Sequence, residues 1–311
     1  MEKQATREAY GQALVEMGAI YDQLVVLDAD LSKSTKTADF AKVYPERFVN
    51  VGIAEQDLMG IAAGLSASGK LVFASSFAMF AAGRAFEIIR NSIAYGKCNV
   101  KIGASHAGIT VGEDGGSHQA IEDIAIMRSI PNMTVVVPAD GNSTKRAVKA
   151  LCEMEGPAYL RLGRLSIPQI YRPEDDWQLG KGSILKSGQD ITIIACGMMV
   201  GIALEAAQSL AGSGISAAVV DLATIKPIDQ ELIVAMAKAT GVILTVEEHT
   251  VVGGLGSAVA EVCAEHYPVR IHRLGIMDVF GQSGKPEALL KQYGLTAENI
   301  FHNVLNLLPG R

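Results

Sequence analysis

Glu55 is the residue of this chain whose surroundings fit acid–base chemistry most closely. It lies in the stretch 48–57, FVNVGIAEQD, where Phe48, Val49 and Val51 read as a short buried strand and Gly52 breaks it. Gly60, Ile61, Ala62, Ala63, Gly64 and Leu65 then continue at helical spacing. A carboxyl at such a strand-to-helix junction stands on the edge where open α/β sheets bind ligands. It also complements the helix dipole, worth about 0.3–1 kcal/mol, and the segment alone leaves both roles open. A second cluster is HAGITVGEDGGSH, from His106 to His118, a loop with four glycines, two acids (one of them Asp114) and a histidine at each end. So polar and glycine-rich a loop packs poorly, which points to function. Its spacing lacks the close i, i+4 or CxxC arrangement that holds a metal. Phe77 and Phe80, at i and i+3, form an aromatic pair that a hydrophobic core would use equally well. Arg164, at a strand end, and the N-terminal pair Arg7 and Ser34 complete the set.

These residues need a scaffold, and the apolar periodicity supplies one. A helix is expected over 6–22, capped by Thr6 with Ile20 in its apolar stripe, then a strand over 24–27 ending in Asp28-Ala29-Asp30. A loop over 32–37 follows. After the Glu55 helix come a strand at 70–74, a helix at 77–95 and a strand at 100–104 that delivers His106. A helix at 119–127, a strand at 134–137, a helix at 142–154 and a strand at 159–162 complete this unit. The stretch 165–181, with two prolines and a charge cluster, reads as a linker between domains 1–164 and 182–311. In the second domain strands are expected at 190–195, 217–220, 242–246 and 269–274, with helices at 200–211, 229–239 and 257–266 and one or two more at the C-terminus. Strands alternating with helices mean two doubly wound, mostly parallel-sheet α/β domains. VVGGLGSAV, at 251–259, half-matches a dinucleotide fingerprint, but Val stands at the third glycine position, so a tight turn is the better reading.

A net charge of −6 with no Lys/Arg run argues against a nucleic-acid surface. No apolar run is long enough to span a bilayer, and the N-terminal ten residues have no signal core. Cys98, Cys152, Cys196 and Cys263 are widely spaced and read as free thiols, so a cytoplasmic location is expected. The high apolar content leaves room for a large core and buried interfaces.

Taken in order and spacing, VGIAEQ, SSFAMF, HAGITVGEDGGSHQ and IPNMTVVVPAD followed by GPAYLRLGR resemble the pyrimidine-binding domain of the transketolase family. DLATIKPID and VEEHTVVGGLGSAVAEV resemble that family's C-terminal domain. The resemblance implies thiamine diphosphate as cofactor and transfer of a two-carbon ketol unit between sugar phosphates. It implies that Glu55 hydrogen-bonds N1′ of the aminopyrimidine, favouring the imino tautomer whose 4′-nitrogen removes the thiazolium C2 proton. It likewise implies Phe77 and Phe80 as the aromatic wall, Asp30 as an acid near the thiazolium and His118 near the 4′-amino group. Asp114 is implied on the donor's α-hydroxyl, and His106, Arg7, Ser34 and Arg164 as a sugar-phosphate clamp. The family's Gly-Asp-Gly motif, which with a later Asn holds a divalent metal (Mg or Ca) and the pyrophosphate, is not in the sequence. The resemblance therefore implies the C-terminal subunit of a split transketolase, in a two-plus-two heterotetramer with a chain that carries that motif.

Two departures bear on this. GIAEQ and the second domain look closer to deoxyxylulose-phosphate synthase, which usually has Arg where His106 lies. Gly83 stands where full-length transketolases commonly carry Tyr. The alternatives are a subunit like that synthase, the β subunit of a 2-oxoacid dehydrogenase, which needs no phosphate clamp, and a non-catalytic scaffold, which needs none of these residues.

Overall fold

The computed structural model describes residues 3–308. In chain order its strands are β1 (Lys3–Ala5), β2 (Leu24–Asp28), β3 (Phe48–Asn50), β4 (Leu71–Phe77), β5 (Val100–Ser105), β6 (Thr134–Val136) and β7 (Ala158–Arg161). They continue as β8 (Ser166–Pro168), β9 (Ser183–Lys186), β10 (Ile191–Ala195), β11 (Ala217–Asp221), β12 (Thr224–Lys226), β13 (Val242–Thr250) and β14 (Arg270–Ile276). A seven-stranded sheet has the order β12-β6-β7-β5-β4-β2-β3 and a five-stranded sheet the order β14-β13-β10-β11-β9. All neighbours in both are parallel except β12 on β6 and β9 on β11.

Apolar residues on both faces of the strands are what make each sheet doubly wound. Leu24 and Val26 enter one hydrophobic cluster while Val25 and Leu27 enter the other. In the second sheet Ala217 and Val219 again oppose Ala218 and Val220. Because successive side chains point to opposite faces, one run of four apolar residues anchors helices on both sides. Each fully buried Val, Leu or Ile contributes about 1.5–3 kcal/mol.

Several local expectations give way to packing. β3 is an edge strand, with Phe48 half-buried and Val49 and Asn50 exposed, so the strand before Glu55 is not buried. The first helix is Thr6–Gly18, with Ala5 at the cap position. Thr6 accepts a hydrogen bond from Gly163 N (2.7 Å) and ties the helix to the end of β7 instead of capping it, while Ile20 lies beyond the helix and is exposed. The expected loop over 32–37 is helical at Ser32–Thr35 and opens the helix Thr37–Val43. Buried Asp28 causes this, accepting from Leu31 N (2.6 Å) and the hydroxyls of Thr35 (2.6 Å) and Thr37 (2.8 Å). β4 runs through Phe77, so the following helix starts later, as wide π turns over Met79–Arg84 and Ile89–Ala94 around the short α segment Phe86–Ile88. The helix expected over 119–127 is Asp123–Arg128, because the loop from His106 continues through Gln119.

The two halves of the chain are sewn together. β12, from the second half, pairs with β6 of the first sheet, and Lys226 Nζ donates to Arg128 O (2.9 Å). The stretch 165–181 contains β8, which pairs antiparallel with β1, and buried Tyr171 and Trp177. Tyr171 donates its hydroxyl proton to buried Asp221 (2.7 Å). At VVGGLGSAV the helix Leu255–His266 starts on a filled N-terminus: Glu247 accepts from Leu255 N (2.7 Å) and Gly256 N (2.8 Å). A side chain at Gly254 would meet Glu247 Oε2 at 2.0 Å, so this glycine is required by an internal carboxylate. Among the described residues, no helix is long and apolar enough to cross a membrane.

Candidate active site

Parallel strands deliver their C-terminal ends to one edge of the sheet, and the chemistry-bearing residues collect there. Phe77 ends β4, His106 follows β5, Arg164 follows β7, and Arg7 opens the helix behind β1. Glu55 is the first residue of the helix Glu55–Ala67 and is buried, 2% exposed.

The centre is an aromatic stack. The Phe77 ring lies 3.9 Å from that of His106 at 24°, and 6.0 Å from Phe80 at 16°. His118 stands edge-on to Phe80 at 5.2 Å and to Phe77 at 6.5 Å. The pair is therefore partly a wall: Phe77 is buried, but Phe80 is only half covered. Behind this wall Glu55 Oε2 accepts from Arg84 Nη1 (2.7 Å), and Ser76 Oγ lies 3.5 Å from Oε1. The Arg84 guanidinium also lies over the Phe80 ring, 4.7 Å from its centroid. At Gly83 an added Cβ would lie 2.9 Å from the terminal methyl of Met79.

On the other side of the stack sits a cationic cluster. Arg7 Nη1 donates to Ser34 O (2.7 Å) and lies 3.5 Å from His106 Nε2. Arg164 Nη1 donates to Val111 O (2.7 Å) and lies 3.5 Å from Asp114 Oδ2. Burial lowers the Arg7 pKa, and the charge of Arg164 lowers it further against the opposing pull of Glu8. His106 is pushed down to about 3, by burial first and then by Arg7, Arg164 and His118. It is a neutral imidazole beside two guanidinium groups, held by Ser105 Oγ at Nδ1 (2.8 Å). Two like charges around a buried polar ring favour an anion between them.

Not every expected residue joins. Ser34 offers its carbonyl, and not its hydroxyl, to Arg7. Asp30 is exposed, in a left-handed turn after β2 (φ 62°), and its partner is Asn50: Asp30 N donates to Asn50 Oδ1 (3.1 Å) and Asn50 Nδ2 donates to Asp30 Oδ1 (3.2 Å). Arg84 is the residue the sequence reading passed over. Its signal was a cation inside the small-residue run AAGRA, 29 positions after the carboxylate it pairs with. Among the described residues, no group of three or more His, Cys, Asp or Glu could hold a metal ion.

A two-domain α/β protein with a buried carboxyl behind an aromatic wall, and a cationic cluster beside it, is the class of molecule that fold and site define. The chain belongs to the transketolase family: residues 2–169 match the family model of the transketolase pyrimidine-binding domain and residues 180–300 that of the transketolase C-terminal domain. It is 55% identical to a putative transketolase C-terminal section of Methanocaldococcus jannaschii, over 96% of this chain and 95% of the relative. It is 42% identical to a 6-deoxy-6-sulfo-D-fructose transketolase subunit of a Clostridium species, over 96% of this chain and 93% of that one. Among solved structures it superposes with TM-score 0.91, at 57% identity and 99% coverage of both chains, on a split-gene transketolase captured as an inactive β4 tetramer.

Proposed function

We propose that this chain is the C-terminal subunit of a thiamine-diphosphate-dependent transketolase, transferring a two-carbon ketol unit from a ketose phosphate to an aldose phosphate. The observation that carries the reading is the placement of a buried carboxyl, a π wall and a two-arginine cluster at one sheet edge. The wall fits an aminopyrimidine: the planar guanidinium of Arg84 already lies across Phe80 with an N–H on Glu55, as a flat donor-bearing ring would. Bound there, the cofactor would supply the electron sink for breaking and remaking a carbon–carbon bond beside a ketose carbonyl. Glu55 would hold a proton against the ring's N1′, and half-exposed Arg84 would swing aside to admit it. Arg7, Arg164 and neutral His106 would bind the phosphate, with Ser34 orienting Arg7 through its carbonyl. Asp114, beside Arg164, would take the donor's α-hydroxyl, and His118 would stand over the 4′-amino group. Asp30 would contribute from further out, near the thiazolium.

Metal and pyrophosphate ligands would come from a partner chain bearing Gly-Asp-Gly, two copies of each forming a heterotetramer. The relatives support this division: one is a putative C-terminal section, one a subunit, and one a split-gene enzyme whose β4 tetramer is inactive. Relatives act on different sugars by name, 6-deoxy-6-sulfo-D-fructose for one subunit and apulose 4-phosphate for another, so the assignment of a phosphorylated sugar rests on the two-arginine cluster. The test is reconstitution: the purified chain should show no ketol transfer, and adding the complementary chain with thiamine diphosphate and a divalent metal should restore it. Turnover by the chain alone would overturn the reading.

A further inference from the structure

His118 and Asp114 sit on a loop of the first domain, yet much of what holds that loop comes from the second. Glu248, near the end of β13, is buried, and its Oε1 accepts from Thr110 N across the domain boundary (2.7 Å). Gly108 is there because of it: a Cβ at that position, already at φ +81°, would lie 2.3 Å from the Glu248 carboxyl. Around this contact Thr250 N donates to Ile121 O (2.7 Å), and Arg161 Nη2 donates to both Ala120 O and Glu248 O (3.1 Å each).

The second hold is Gln119, next to His118 and buried. Its Nε2 lies 3.1 Å from Ile109 O, 3.3 Å from Gly112 O and 3.0 Å from Gln282 O, and only an amide nitrogen can face three carbonyls. One side chain thus ties both ends of the loop to the second-domain segment 281–284. That segment lies against the loop so closely that a Cβ at Gly116 would meet Gly281 O at 2.6 Å. Glu248 and Gln119 are both buried, and the polar contacts just described are to backbone groups of the protein.

We infer that the second domain acts as a brace for the loop from His106 to His118, with Glu248 and Gln119 as its two positioning residues; the catalytic consequence rests on the transketolase reading. A positioned group displaced by about 1 Å can lose roughly 10²-fold in rate. The measurement is hydrogen exchange on the full chain, read at Thr110 and at the loop amides of Gly112, His118 and Gln119. Glu248→Ala should speed exchange there by at least about tenfold, about 1.4 kcal/mol in an opening equilibrium. Glu248→Gln, whose amide oxygen still accepts from Thr110, should restore protection. Unchanged loop exchange in Glu248→Ala overturns the brace, and so does an equal rise in the first-domain helix Gly141–Glu153, which would mark general destabilisation. If Glu248→Ala does not fold, Gln119→Leu, which removes the donors at similar volume, carries the same test by the same criteria. In the reconstituted pair, Glu248→Ala should lower kcat more than it raises KM. Absence of ketol transfer in the wild-type pair would instead defeat the functional reading, and the exchange result would still decide the brace.

Discussion

At the end of β5 the chain places His106, and at the end of β13 it places Glu247, Glu248 and His249. Both are C-terminal ends of parallel strands, where α/β proteins commonly bind ligands. At β13 every titratable group is answered from inside the protein. Glu247 receives two helix N–H groups, Glu248 receives Thr110 N, and His249 Nε2 receives Ala125 N (3.3 Å). At β5 the neighbourhood stays open: Phe80 is half covered, Arg164 is 40% exposed, and Arg84 is 49% exposed while its partner Glu55 is 2% exposed. The same residue types at the same kind of strand end serve packing in one domain and, on the function proposed above, chemistry in the other, and the difference is whether a partner segment fills the edge. Burial pushes Glu247 up to about 7 and His249 down to about 4, so a strong shift by itself does not mark a catalytic residue.

The sharpest way to break that contrast is Glu55→Ala. If the open edge is the chemical one, ketol transfer in the reconstituted pair should fall by ~10²–10⁴, because the pyrimidine loses the group that shifts its proton. Stability should change far less, since Glu55 is a helix-start residue whose one close partner is half-exposed. Exchange of the C2 proton of bound thiamine diphosphate, followed by NMR, isolates this step from sugar binding. Wild-type exchange in the variant would leave Glu55 a helix-dipole residue.

Arg164→Ala probes the cationic side of the same edge. KM for phosphorylated donors should rise about 10- to 100-fold, as a charge-assisted hydrogen bond contributes about 1.5–3 kcal/mol. Hydroxypyruvate, which has no phosphate, should be affected much less. Equal losses for both donors would mean that Arg164 chiefly holds the loop at Val111.

What the sequence disclosed follows from the range of the forces involved. Both parallel sheets were legible because strands buried on two faces are continuous apolar runs, as at 24–27 and 191–195. The resemblance named Glu55, Phe77, Phe80, His106, His118, Arg7, Asp114 and Arg164 together; in the fold Phe77 stacks on His106, Phe80 meets His118, Arg7 lies beside His106 and Asp114 beside Arg164. The Arg84–Glu55 pair and the Glu248 contact were not legible, since each joins distant positions with no local periodicity to announce it. β12 escaped for the same reason: three residues of one half complete a sheet of the other. Helix ends failed where a buried side chain outranked propensity, as Asp28 did by drawing Ser32–Thr35 into a helix.

The smallest effect is also the most direct reading of the contrast. His106 and His249 are both depressed, to about 3 and about 4, and burial is the first cause of each. With folded values below the unfolded 6.5, the unfolded chain takes up the proton first. The stability each confers is therefore full above about pH 6.5 and is lost as pH falls toward its folded value. The further causes separate them. Arg7 and Arg164 press on His106, whereas at His249 Asp123 favours the charged form and Arg161 opposes it. Inorganic phosphate bound between the two arginines would offset their charge at His106 and leave His249 untouched. In ¹⁵N NMR titrations of the full chain, both imidazoles should stay neutral down to about pH 5 without added anion. Phosphate should then raise the His106 midpoint and leave that of His249 where it was. If the two midpoints move together, or neither moves, the anion is not held between Arg7 and Arg164, and the open edge loses its claim to the sugar phosphate.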